Sequence, residues 1–128
     1  MKSHLRATVA AAAYAVITGK KVAGIYDHAG GRHLRIAAEC RDTWLQALDG
    51  ERNAKFGGTL PELFDEGDRV YVSMEVDGTT ARGYDRGSAS FYVANVTGQV
   101  VQLFDHDPDT WFAFDVQVVT GEPAPGDR

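Results

Sequence analysis

The side chains that could do chemistry begin with four aspartates, each directly after a large apolar residue: Tyr26-Asp27, Leu48-Asp49, Tyr84-Asp85 and Phe104-Asp105. Converging carboxylates are hard oxygen ligands and could hold calcium or a polyol. An aspartate repeated in one context has a simpler use. Its side chain accepts hydrogen bonds from backbone amides two residues on, and so opens a turn. Repetition favours this structural reading, because every hairpin of a repeated fold needs the same turn chemistry. Asp105-His106-Asp107-Pro108-Asp109 is the densest cluster of possible ligands. It lacks the spaced glycine and distal glutamate of an EF-hand loop. Asp105, Asp107 and Asp109 are therefore weak metal candidates, and a solvated acidic loop is the simpler expectation.

Nucleophilic chemistry finds little support. His28 and His33 flank Gly30-Gly31, and His106 follows an aspartate, but the chain has no Gly-x-Ser-x-Gly elbow. Gly57-Gly58-Thr59 lacks the lysine and spacing of a phosphate loop. No catalytic residue and no cofactor is assigned. Cys40 is the single cysteine, which rules out an intramolecular disulfide and fits a cytoplasmic location. It continues the inward apolar set of Leu34, Ile36 and Ala38, a structural position. Aromatic side chains are the better prospects for binding, since on a β surface they stack on ligands or anchor partners. Trp44 and Trp111 each stand at a strand start beside a polar turn and are expected to be exposed. With Tyr26, Tyr84, His28 and His106 they form the expected ligand- or partner-binding set.

The elements that must carry these residues are mostly strands. In Arg69 to Val76, Val70, Val72, Met74 and Val76 alternate with Tyr71, Ser73 and Glu75, giving one apolar face. Asp77-Gly78 predicts a two-residue hairpin turn. Further strands are expected near 22–27, 32–40, 43–49, 54–57, 79–84, 90–97, 100–104 and 111–119. The segment 8–18 is alanine-rich, which favours helix, but its end Val16-Ile17-Thr18 and the following Gly19 favour strand, and strand is the expectation. Thr59-Leu60-Pro61-Glu62 matches a helix start, predicting a short helical turn near 60–64. The tail 121–128 has no core residue and is expected to be disordered.

Tyr-Asp at 26–27 aligns with Tyr-Asp at 84–85, and Gln46-Ala47-Leu48-Asp49 with Gln102-Leu103-Phe104-Asp105. The chain therefore reads as one unit written twice, at 8–58 and 69–119, within a single domain over 1–120. The fold class is all-β: about ten short antiparallel strands in a duplicated, pseudo-twofold sandwich or barrel.

The turn motifs, as in Ile25-Tyr26-Asp27-His28-Ala29-Gly30-Gly31-Arg32-His33-Leu34, resemble those of the small bacterial four-fold β-flower domains. That resemblance implies an all-β module with internal pseudosymmetry, no established activity and no catalytic residues.

With 128 residues the chain is long enough for one core without staples. Its net charge of -5 argues against a nucleic-acid backbone or an anionic membrane as partner. The apolar run Ala7 to Ile17 is shorter than the about 20 residues that span a bilayer and leads into Gly19-Lys20-Lys21 without a small-residue cleavage site. A non-catalytic β module binding a protein partner or small ligand is the leading expectation. A barrel carrying or transforming an apolar molecule in its lumen is second. A metal- or sugar-binding domain using the turn aspartates is third. Sheet edges left uncovered would favour a homo-oligomer.

Overall fold

The N-terminal segment is a helix, which corrects the strand expected over 8–18. In the computed structural model, which describes residues 1–119, helix α1 spans Ser3–Thr18. Alanine is the strongest helix former, and the β-branched residues that argued for a strand occupy only the last turn. There the Thr18 hydroxyl donates to the Tyr14 carbonyl at 2.7 Å. Gly19 ends the helix in the left-handed region, φ 71°, its amide donating to the Ala15 carbonyl. The periodicity that marks a surface helix is missing for a physical reason. Every residue from Ala7 to Ala15 is buried, and a helix enclosed on all sides has no polar face.

The enclosure is a closed antiparallel barrel. Its strands are β1 (Val22–Asp27), β2 (Arg32–Leu34), β3 (Ile36–Arg41), β4 (Trp44–Asp49), β5 (Ala54–Thr59), β6 (Glu62–Asp65), β7 (Val70–Ser73), β8 (Glu75–Asp77), β9 (Thr80–Asp85), β10 (Ser90–Thr97), β11 (Val100–Asp105) and β12 (Thr110–Val118). Ten of them follow one another around the wall, and β1 pairs β12 to close it. The other two extend bent neighbours: β2 precedes β3 and pairs β1, and β8 follows β7 and pairs β9. The expected strands 32–40 and 69–76 are thus each broken once. The second break falls at Met74, whose amide donates to the Pro61 carbonyl.

The helical turn expected near 60–64 is also corrected. Leu60-Pro61 is a cis bond in a turn, and Glu62–Asp65 is strand β6, pairing β7 from Glu62↔Ser73 to Asp65↔Val70. The matching of 8–18 with the strand at 69–76 inside the twofold alignment does not hold either, since the first is helix. The tail 121–128 lies outside the described residues.

An eight-strand barrel is just filled by its own side chains, and ten strands leave a wider lumen. Here α1 fills it. Small side chains at Ala10 to Ala13 and Ala15 let the wall approach the helix, with Ile25, Ile36, Leu45, Phe56, Leu63, Tyr92, Leu103 and Phe114 buried around it.

Candidate interaction surface

Strands β1, β4, β6, β9 and β11 all run the same way, so their C-terminal ends meet at one rim. Each ends in aspartate and leads into a four-residue loop, fixed by the pairs Asp27↔Arg32, Asp49↔Ala54, Asp65↔Val70, Asp85↔Ser90 and Asp105↔Thr110. The carboxylate accepts the loop amides: Ala29 for Asp27 at 3.0 Å, Glu51 for Asp49 at 2.9 Å, Asp68 for Asp65 at 2.7 Å, Gly87 for Asp85 at 2.9 Å and Asp107 for Asp105 at 3.0 Å. Four residues after each aspartate the backbone is left-handed, at Gly31, Asn53, Arg69, Ala89 and Asp109. The turn reading of the repeated aspartates therefore matches the observed hydrogen bonds. The sequence pattern contained a fifth member, Phe64-Asp65, hidden by the helix start read into Thr59 to Glu62.

Most of these carboxylates are spent inside the rim. Asp49, Asp65, Asp85 and Asp105 are buried. Arg52 joins two of them, with Nε on Asp49 Oδ2 at 2.5 Å and both terminal nitrogens on Asp65 at 2.9 Å. Burial raises the Asp65 pKa, but the Arg52 guanidinium and the Asp68 amide outweigh it and hold the carboxyl below its usual range. Asp105 receives Arg6 at 3.2 Å and the Met1 amino group at 3.1 Å. Asp85 accepts the Ser88 hydroxyl at 2.7 Å. Burial, and then the Asp85 charge, raise the pKa of Tyr92, whose hydroxyl donates to the Ser73 carbonyl. The weak metal candidates do not converge: Asp105 points inward and is paired, while Asp107 and Asp109 are exposed. Among the described residues no group of three or more His, Cys, Asp or Glu side chains could hold a metal ion. Cys40 is half-buried, its pKa raised by burial and by Asp42.

On the outer wall, just below the loops, the same hairpins carry a second pattern. The residue before each aspartate faces the residue six after it: Tyr26↔His33, Leu48↔Lys55, Phe64↔Tyr71, Tyr84↔Phe91 and Phe104↔Trp111. Four of the five are ring pairs, with centroids 4.8 Å apart for the first, third and fourth and 5.2 Å for Phe104–Trp111. His28 stands edge-on to Tyr26 and His106 to Phe104. Outer members are well exposed: Tyr71 50%, Phe91 62% and Trp111 55%.

Of the six residues expected to bind, the structure brings Tyr26, His28, Tyr84, His106 and Trp111 to this one rim. Trp44 is exposed as expected but opens β4 at the opposite end. Sequence reasoning left His33, Phe64, Tyr71, Phe91 and Phe104 out of the set. The signal was present as an aromatic residue six positions after the aspartate. The residues seven positions after the aspartates, Leu34, Phe56, Tyr92 and Phe112, pack in or against the core instead.

The wall between the rims carries both polar and apolar side chains. Gln46, Arg82, Gln102 and Gln117 are exposed there, and Leu48 beside them. No helix among the described residues is long and apolar enough to cross a membrane. Comparison with protein-family models, with curated proteins and with solved structures gave no significant match.

Proposed function

We propose that this protein is a non-catalytic β module that docks a protein partner on the aromatic rim. The carrying observation is the ring of outward cross-strand pairs, of which Tyr71, Phe91 and Trp111 are at least half exposed. Clustered exposed aromatics at one level of a domain mark interaction surfaces more than single exposed residues do. The buried aspartates support a scaffold role, since they are engaged by loop amides, Arg52, Arg6 and Ser88. The resemblance of the turns to β-flower domains belongs to the same reading. A lumenal ligand is disfavoured because α1 occupies the lumen, and a metal or sugar site on the aspartates because four of the five are buried and engaged.

The test is photo-crosslinking in the cells of origin, with p-benzoylphenylalanine placed at Phe91 or at Gln46 on the wall. A discrete adduct from Phe91, absent from Gln46 and lost on Tyr71→Ser with Trp111→Ser, is expected. An adduct of twice the chain mass would identify the partner as a second copy. Equal adducts from both positions, or none from Phe91, would refute the rim.

A further inference from the structure

All four histidines of the chain lie at the aspartate rim, and three of them stand in the aromatic belt on neighbouring strands. His28 is in the β1–β2 loop, His33 is on β2 and His106 is in the β11–β12 loop, and β11, β12, β1 and β2 adjoin one another in the wall. His28 and His33 lie 5.0 and 4.8 Å from the Tyr26 ring, and His106 lies 4.7 Å from Phe104. The half of the belt on β6 to β10 carries Phe64, Tyr71, Tyr84 and Phe91 and no imidazole. Imidazole changes charge between pH 5 and 8. One sector of the belt therefore gains charge near neutrality, while the aromatic pairs of the other do not.

The three imidazoles differ in what faces them. His28 Nε2 is 3.0 Å from Asp115 Oδ1 of β12. His106 Nδ1 is 3.9 Å from Asp109 Oδ1, with Asp107 next to it in the same loop. His33 is faced by the Tyr26 ring from β1 and by Gln117 from β12, whose amide nitrogen lies 3.4 Å from Nδ1. Arg32, its neighbour in β2, is directed to Glu51 at 3.6 Å, and the Asp27 carboxylate of β1 accepts the Ala29 and Gly30 amides. Among the described residues His33 makes no ion pair. An amide N–H on Nδ1 suits the neutral ring, whose free nitrogen accepts, whereas protonation turns that nitrogen into a second donor.

On the footing that the rim is the docking surface, we propose that acid releases its partner, with His33 as the residue that couples docking to pH. A partner covering the belt strips water from the rings beneath it. An imidazolium at His28 or His106 keeps a carboxylate beside it, but one at His33 is enclosed without a counter-charge, the costly case for a buried ion. Docking and protonation of His33 therefore oppose each other. Affinity is complete above the range in which histidine titrates and is lost as pH falls through it. One excluded proton weakens binding by at most tenfold per pH unit, so a loss of about tenfold is expected from pH 7.5 to 5.5.

The experiment adds purified protein with p-benzoylphenylalanine at Phe91 to an extract of the cells of origin at pH 7.5 and at pH 5.5. It reads the protein concentration that gives half-maximal adduct, which should rise about tenfold in acid. His33→Phe keeps a ring on Tyr26 but takes no proton, and should hold within about twofold between the two pH values. His33→Lys carries its charge throughout and should bind at pH 7.5 as weakly as the parent does at pH 5.5. Asp115→Asn leaves His28 as a second imidazole without a carboxylate and should steepen the loss beyond about tenfold. Urea midpoints at both pH values confirm folding of each variant. Equal half-maximal concentrations of the parent at both pH values overturn the switch and leave the rim standing. The switch is also overturned if His33→Phe releases as the parent does, or if Asp115→Asn keeps the parent's slope. No adduct from Phe91 at either pH overturns the rim and the switch together.

Discussion

The two ends of the barrel solve the same problem differently. At the aspartate rim, four-residue loops are closed by carboxylates that accept loop amides, and three of those carboxylates are neutralised by Arg52, Arg6 and the Met1 amino group. At the opposite rim, two-residue loops join Arg41↔Trp44, Asp77↔Thr80 and Thr97↔Val100. Their first loop residues, Asp42, Gly78 and Gly98, have φ 54°, 63° and 58°. The central pair of the second is Gly78-Thr79, one residue later than the expected Asp77-Gly78. Only its first member has positive φ, the pattern of a type II′ turn. One rim is held by side-chain electrostatics and carries the aromatic pairs. The other turns through left-handed backbone at the first loop residue and carries Trp44. Longer loops tied down by buried carboxylates can present a fixed surface, whereas tight turns present almost none.

The sharpest way to break this contrast is Arg52→Ala. It strands Asp49 and Asp65 as buried carboxylates without a cation, and a urea titration should show a loss of about 3 kcal/mol, the usual cost of removing one partner of a buried pair. A loss below about 1 kcal/mol would mean the rim does not depend on that charge.

Acid should act on the same end. Because the Asp65 pKa is lowered in the fold, its contribution is complete above the ordinary aspartate value near 4 and is lost as pH falls through the folded value. The urea midpoint of the parent should therefore fall more steeply below about pH 4 than that of Arg52→Ala. Parallel curves would contradict the assignment.

Asp85→Ala removes a turn carboxylate that has no cation among the described residues. It leaves the Gly87 amide and Ser88 hydroxyl without that acceptor and should cost about 1–2 kcal/mol. At the other rim, Gly98→Ala forces a side chain into φ 58° with open space around it, so conformational strain alone applies and roughly 1 kcal/mol is expected. The exposed pair Lys21–Glu39 closes the series, Lys21→Ala changing the midpoint by less than about 0.5 kcal/mol. Equal effects at both rims would erase the distinction.

Much of this was legible in the chain. The strands at 22–27, 90–97, 100–104 and 111–119 follow from alternation bounded by turn residues, and the Asp27, Asp49, Asp85 and Asp105 turns from their repetition. Phe64-Asp65 obeyed the same rule but sat behind Thr59-Leu60-Pro61-Glu62, which satisfies the local chemistry of a helix start equally well. Five of the six residues singled out for binding share one rim because strands of one direction end together, a fact of topology that spacing alone does not contain.

Alternating apolar residues and the carboxylates that cap amides in their own loops act over a few residues, so the sequence by itself determined most of the strands and the carboxylate-closed turns at Asp27, Asp49, Asp85 and Asp105. It did not determine whether the alanine run at the start would be strand or helix. That depends on the width of a cavity made by residues 22 to 118, closed by a pairing of β1 with β12 across most of the chain. Nor did it determine which aromatics face water, since inside and outside exist only once the wall has closed around the helix.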